Sequence, residues 1–209
     1  MKLDRAYFII GNAYAGKSTA ARLLAEKHGG VLLEENYHDR LLPQLDRDEF
    51  PRLTYTRDLA DWHDFIRRSP AQYKAWYDGV TKECETLELR ILNELPDDGR
   101  PVFVDTNISV ETLRRIAAPN HVLVMLADPQ VSVRRFFERP DREKQFLYRL
   151  IMDEPDPEAA MENYREGLKL INSQDVYDRF LRSGFPVILR DDSRTVSETL
   201  VLAEHIFGL

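Results

Sequence analysis

An α/β fold built on a doubly wound parallel sheet is what this sequence predicts, on three observations. Five short apolar runs of strand length recur along the 209 residues, at 7–10, 31–33, 102–104, 121–126 and 186–189. Stretches of helical period separate them, and alternation of strand with helix favours a parallel sheet. The runs are continuous Val, Ile and Leu rather than alternating, as strands covered by helices on both faces require. Finally, the first run leads into G-N-A-Y-A-G-K-S at positions 11–18, a glycine-bounded turn that opens a helix. The chain is read as one domain over 1–209.

Positions 11–18 fit the pattern G-x-x-x-x-G-K-[ST]. Glycines permit a tight turn whose backbone N–H groups surround a polyphosphate, and the following helix directs its positive dipole end at the anion. In this pattern Lys17 reaches the β/γ-phosphates and Ser18 ligates Mg²⁺. The first helix carries Ala20, Leu23, Leu24 and Lys27 along one face and stops at Gly29-Gly30. V-L-L-E-E-N then forms the second strand and delivers Glu34, Glu35 and Asn36 to its C-terminal end, where ligands bind in open α/β sheets. A solvated loop is the alternative for either glutamate.

Residues 37–70 are irregular, with Pro43, Pro51, several arginines including Arg67 and Arg68, and scattered aromatics. A connection of this length is expected to be a lid or binding segment, or else a helical excursion on the sheet edge. Trp62 and Phe65 are expected in the core. Ser69-Pro70-x-Gln72 opens a long helix with an N-cap, a proline in the first turn and a capping-box glutamine. Its apolar stripe runs from Tyr73 to Leu95 and includes Cys84, read as packing.

The third strand ends at Asp105-Thr106-Asn107, where an acid is placed to hold magnesium. Capping of the helix that starts near Ser109 is the alternative role for Asp105 and Asn107. After the fourth strand, Arg134, Arg135, Arg139, Arg142 and Arg149 gather in segment 130–150, expected to be a donor lid. Phosphoryl transfer needs positive donors around the equatorial oxygens, so Arg135 and Arg139 are the catalytic candidates there. Others of the five are expected on a solvated face. Met161, Tyr164, Leu168 and Ile171 mark the next helix, Phe180 and Leu181 a further apolar segment, and a Thr195-x-x-Glu198 capping box the last helix.

Bulk composition narrows the function classes. A net charge of −7 argues against a long polyanion groove or an anionic membrane surface, so a small-molecule partner is expected and nucleic acid is not. One cysteine excludes an internal disulfide, and no C-x-x-C or H-E-x-x-H pattern offers a metal site. A reducing cytoplasm is the expected compartment. The N-terminal apolar run is too short for a signal core or a membrane span.

With G-N-A-Y-A-G-K-S-T, V-D-T-N and the arginine-rich segment in view, the chain resembles the P-loop small-molecule kinases. These are the nucleoside monophosphate kinase and shikimate kinase group with the related polynucleotide- and zeta-toxin-like kinases. That resemblance implies a 2-3-1-4-5 strand order, ATP on the loop at Gly11, Asn12, Ala13, Tyr14, Ala15, Gly16, Lys17, Ser18 and Thr19, and lids after strands two and four. It further implies Lys17 on the transferring phosphoryl, Mg²⁺ held by Ser18 and Asp105, Glu35 as the acid beside the acceptor, and Asp191 to Arg194 against the adenine. Strand alternation leaves Glu34 open as the alternative to Glu35. Two departures stand out: Tyr14 replaces the group's usual glycine, and the acceptor signatures D-G-F-P-R and G-G-G are absent. The expected activity is ATP-dependent phosphoryl transfer to a small molecule. Alternatives are a nucleotide-driven switch or bare ATPase, and a polynucleotide 5′-kinase.

Overall fold

In the computed structural model, which describes residues 3–138, 142–191 and 193–209, five parallel strands form one sheet. These are β1 (Ala6–Gly11), β2 (Val31–Leu33), β3 (Val102–Asp105), β4 (Val122–Ala127) and β5 (Val187–Arg190). Their order is β2-β3-β1-β4-β5, the one the resemblance implies. Each strand lies within a residue of its apolar run. The central strand β1 pairs Ile9 with Asp105 of β3 and Gly11 with Met125 of β4, so the loop after β1 and the acid of β3 emerge side by side.

Helices cover both faces in a three-layer αβα arrangement. On one face, α1 (Lys17–His28) and α10 (Val196–Phe207) bury Ala20, Ala21, Leu24, Ala203 and Phe207 against Ile9, Phe103, Leu123 and Met125. On the other, Phe8, Ile10, Val104 and Val124 meet Leu92 of α4 (Pro70–Glu94), Leu113 of α5 (Val110–Ile116) and the partly buried Tyr177 and Phe180 of α9 (Gln174–Leu181). The capping boxes at Ser69/Gln72 and Thr195/Glu198 form as their sequences predict. So does the left-handed stop at Gly29, whose φ is 61°.

Segment 37–70 is a helical excursion: a 3-10 stretch at Tyr37–Gln44, then α2 (Pro51–Arg57) and α3 (His63–Ile66). Past β4 come α6 (Pro129–Arg134), α7 (Arg142–Met152) and α8 (Pro157–Ile171). Phe65 and Ile66 of α3, Tyr73 of α4, Leu147 and Ile151 of α7, and Met161, Tyr164 and Leu168 of α8 share a separate hydrophobic core off the sheet. Segment 37–70 and the described residues of 130–150 therefore pack against one another on α4 and α8. Two sequence expectations fail locally. Ala21 and Ala25, with Leu24, are buried in α1 where Leu23 is only half-buried, because the helix docks closely enough for small side chains. Leu181 is exposed at the end of α9, where the helix has passed the sheet. Among the described residues no helix is long and apolar enough to cross a membrane.

Candidate functional site

The loop between β1 and α1 is fixed by steric exclusion first. Gly11 has φ of 134°, and a Cβ there would lie 1.8 Å from the Met125 carbonyl oxygen, so only glycine allows β1 to pair with β4 at this point. Gly16, with φ of 93°, turns the chain into α1. Tyr14 also adopts a left-handed conformation, φ 65°, which a bulky residue holds only when its surroundings impose it. Here they do: the Tyr14 hydroxyl donates to the Arg135 carbonyl, and the Arg190 guanidinium donates to the Tyr14 carbonyl at 2.7 Å. Ser132 Oγ donates to the adjacent Ala13 carbonyl at 3.1 Å. The loop is thus tethered to the chain after β4 and to the end of β5.

The buried side chain of Asn12 completes the sheet beside the loop. Its Nδ2 donates to the Ala127 carbonyl at 2.7 Å and its Oδ1 accepts from the Ala127 N–H at 2.8 Å, as an extra rung between β1 and β4. Lys17 Nζ donates to the Asn12 carbonyl at 3.4 Å. Ala15 is buried, whereas Ser18 and Thr19 are exposed on the first turn of α1.

Asp105 faces this turn. Ser18 Oγ donates to Asp105 Oδ2 at 2.6 Å, and Lys17 Nζ stands 4.0 Å from Oδ1. The carboxylate is 1% exposed, and Oδ1 has no hydrogen-bond partner among the described residues. Burial pushes the Asp105 carboxyl up, against the opposing pull of Lys17 and Ser18, with Glu35 and Glu88 adding to the rise. An orphaned carboxylate oxygen beside a serine hydroxyl is a hard oxygen donor set that Mg²⁺ suits. That ion keeps waters and substrate phosphates in its shell and needs few protein ligands. The capping alternative for Asp105 does not apply, since Ser109 caps α5 by accepting from the Thr112 N–H.

Both glutamates after β2 are exposed, and both line an open pocket with Leu33, Asn36, Tyr37 and Arg40. Glu35 is the one whose charge acts on Asp105 and on Tyr77 of α4. Arg135 is an exposed side chain 3.6 Å from Glu138, and Arg134 reaches Asp128 at 4.0 Å. Arg139 lies outside the described residues, as does Asp192 in the segment after β5. Asp191 accepts from the Ser193 N–H at 3.0 Å and from its hydroxyl, which holds the Asp191 carboxyl below its ordinary range.

Sequence reasoning missed the carboxylates of α4. Glu83 accepts from the Arg52 and Leu53 N–H groups, which caps α2 because its own N-cap residue, Phe50, has no acceptor to offer. Glu85 accepts from the Ser109 N–H at 3.1 Å and from the Thr112 hydroxyl, at the start of α5. Glu88, wholly buried, accepts from the Thr106 hydroxyl, from the Asn107 N–H at 3.1 Å, and from His38 Nδ1 at 2.9 Å. Cys84 Sγ lies 3.2 Å from His38 Nε2. Burial, with Glu88 adding, pushes the Cys84 thiol up. Cys84 is therefore part of a hydrogen-bonded chain as well as packing. The available signal was Glu88 itself, four residues after Cys84 and on its buried face.

No protein-family model matches the chain, and no curated protein matches it in sequence. Its class rests on architecture: a parallel five-stranded αβα sheet consistent with a P-loop NTPase-like, nucleotide-binding module.

Proposed function

We propose that this chain is an ATP-dependent phosphotransferase acting on a small-molecule acceptor. One observation carries it: Ser18, Lys17 and the orphaned Asp105 oxygen converge where a glycine-bounded loop enters a helix. The loop N–H groups and the α1 dipole bind phosphate, and Lys17 stabilises charge on the phosphoryl group in flight. Ser18 and Asp105 would hold Mg²⁺, which when bound neutralises the β- and γ-phosphate oxygens. Glu35, whose charge reaches Asp105, accepts the acceptor hydroxyl's proton or orients that hydroxyl. Tyr14 ties the loop to the Arg135 carbonyl and so keeps the chain after β4 beside the loop. The net charge of −7 favours a small acceptor over a nucleic acid.

The test is Lys17→Ala, with Mg²⁺–ATP binding measured by calorimetry and ADP formation measured over nucleosides, nucleotides, sugars and hydroxy acids. Wild type is expected to bind ATP and to release ADP only with particular acceptors, and the variant to lose at least about a hundredfold in rate. Binding unchanged in the variant would refute the loop assignment. ADP release indifferent to acceptor would make the protein a bare ATPase.

A further inference from the structure

We infer that Arg68 is an anion-recognition residue, built to receive a phosphate or carboxylate carried by the acceptor. The word acceptor rests on the phosphotransferase reading; the anion does not.

Two adjacent arginines make the case by contrast. Arg67 is exposed and paired, its Nε donating to Glu154 at 3.0 Å. Arg68 is half-buried, and its Nη1 is buried with no hydrogen-bond partner among the described residues. Its guanidinium lies over the rings of Tyr55, Phe65 and Trp76, with Cζ 4.0, 4.9 and 5.4 Å from the three centroids. Among the described residues no carboxylate pairs with this cation. Stacking on rings offsets part of the cost of desolvating a guanidinium and leaves its in-plane donors unmatched. Those donors form a planar fork suited to two oxygens of a phosphate or carboxylate.

The cage is rigid. Asn163 of α8 donates to the Arg68 carbonyl at 2.7 Å, Trp76 Nε1 donates to the Arg52 carbonyl at 3.1 Å, and Arg68 directly precedes the N-cap of α4. Tyr55 belongs to α2, Phe65 to α3 and Trp76 to α4, so the guanidinium sits where the segment after β2 meets α4.

The experiment titrates the full chain with inorganic phosphate and, separately, with malonate, in the absence of nucleotide, following tryptophan fluorescence. Trp76 stacks on the guanidinium and reports occupancy. Lys17→Ala serves as a second background in which the phosphate loop is disabled. A saturable response is expected in both backgrounds, weakened about tenfold or more in Arg68→Met and unchanged in Arg67→Met. Response to phosphate alone assigns a phosphorylated acceptor, response to malonate alone a carboxylated one, and response to both the shared chemistry. No response, a response lost in Lys17→Ala, or one retained in Arg68→Met overturns the inference. Should Arg68→Met not fold, Arg68→Lys decides: a several-fold weaker response supports the fork geometry, and unchanged affinity overturns it. ATP binding that survives Lys17→Ala would refute the phosphotransferase reading and leave this titration intact.

Discussion

The half of the molecule around the glycine-bounded loop and its helical half solve the same problem, holding polar groups inside a folded chain, by different means. Around the loop, main-chain groups make many of the contacts: Asn12 with both groups of Ala127, Ser132 with the Ala13 carbonyl, Arg190 with the Tyr14 carbonyl. In the helical half, side chains of α4 reach into other segments. Glu83 holds α2, Glu85 holds α5, and Glu88 joins the end of β3 to His38. A site made of backbone tolerates few changes of backbone shape but many changes of side chain. One made of buried carboxylates depends on each carboxylate keeping all its donors.

Three substitutions sharpen this contrast. Gly11→Ala should have the largest effect, because its Cβ must displace the Met125 carbonyl from 1.8 Å, at the last pair of β1 with β4. The expected loss is above about 4 kcal/mol in urea unfolding, or no folded protein at all. A loss below about 1 kcal/mol would show that the loop half is not governed by backbone geometry.

Next comes Glu88→Ala, which leaves His38, the Thr106 hydroxyl and the Asn107 N–H without their buried acceptor. About 3–4 kcal/mol of destabilisation is expected by the same measurement. A near-neutral result would mean water replaces the carboxylate and the helical half is less dependent on side chains than stated.

The smallest effect belongs to a side-chain contact in the loop half. Glu204 of α10 lies 2.8 Å from Lys27 and 2.7 Å from His28 at the end of α1. The Lys27 hydrogen bond holds its carboxyl below the ordinary range, with His28 adding and burial opposing. A depressed native value stabilises the fold above the carboxyl's unfolded value, and that contribution fades as pH falls through the native one. Glu204→Gln should therefore cost about 1 kcal/mol at neutral pH, since Lys27 is largely exposed, and nothing in strong acid. An equal cost at both pH values would assign the effect to packing instead of charge.

The contrast also explains what could be read from the chain. Ser18 and Asp105 were legible although 87 residues apart. Asp105 ends β3, Ser18 lies in the first turn of α1 just past the loop that leaves β1, and the Ile9–Asp105 register sets those two strands side by side. By comparison, Glu83, Glu85 and Glu88 look alike in K-E-C-E-T-L-E. Which is capped, shared or buried depends on the phase of α4 relative to α2, α5 and the 3-10 stretch after β2. Arg67 and Arg68 are likewise indistinguishable as neighbours in a loop until α3 and α4 close three rings around one of them.

By itself, then, the sequence determined the parallel sheet, the glycine-bounded loop, the acid at the tip of β3 and the capping boxes that start α4 and α10. Each is specified within a few residues, by glycine sterics, apolar runs or a cap and its N–H. Only the tertiary structure decided how Tyr14 is held in a left-handed turn and why Cys84 bonds as well as packs. It also decided which arginine is left with an unmatched donor. Those outcomes depend on desolvation and on donors supplied from distant segments, and both exist only once the helices have docked.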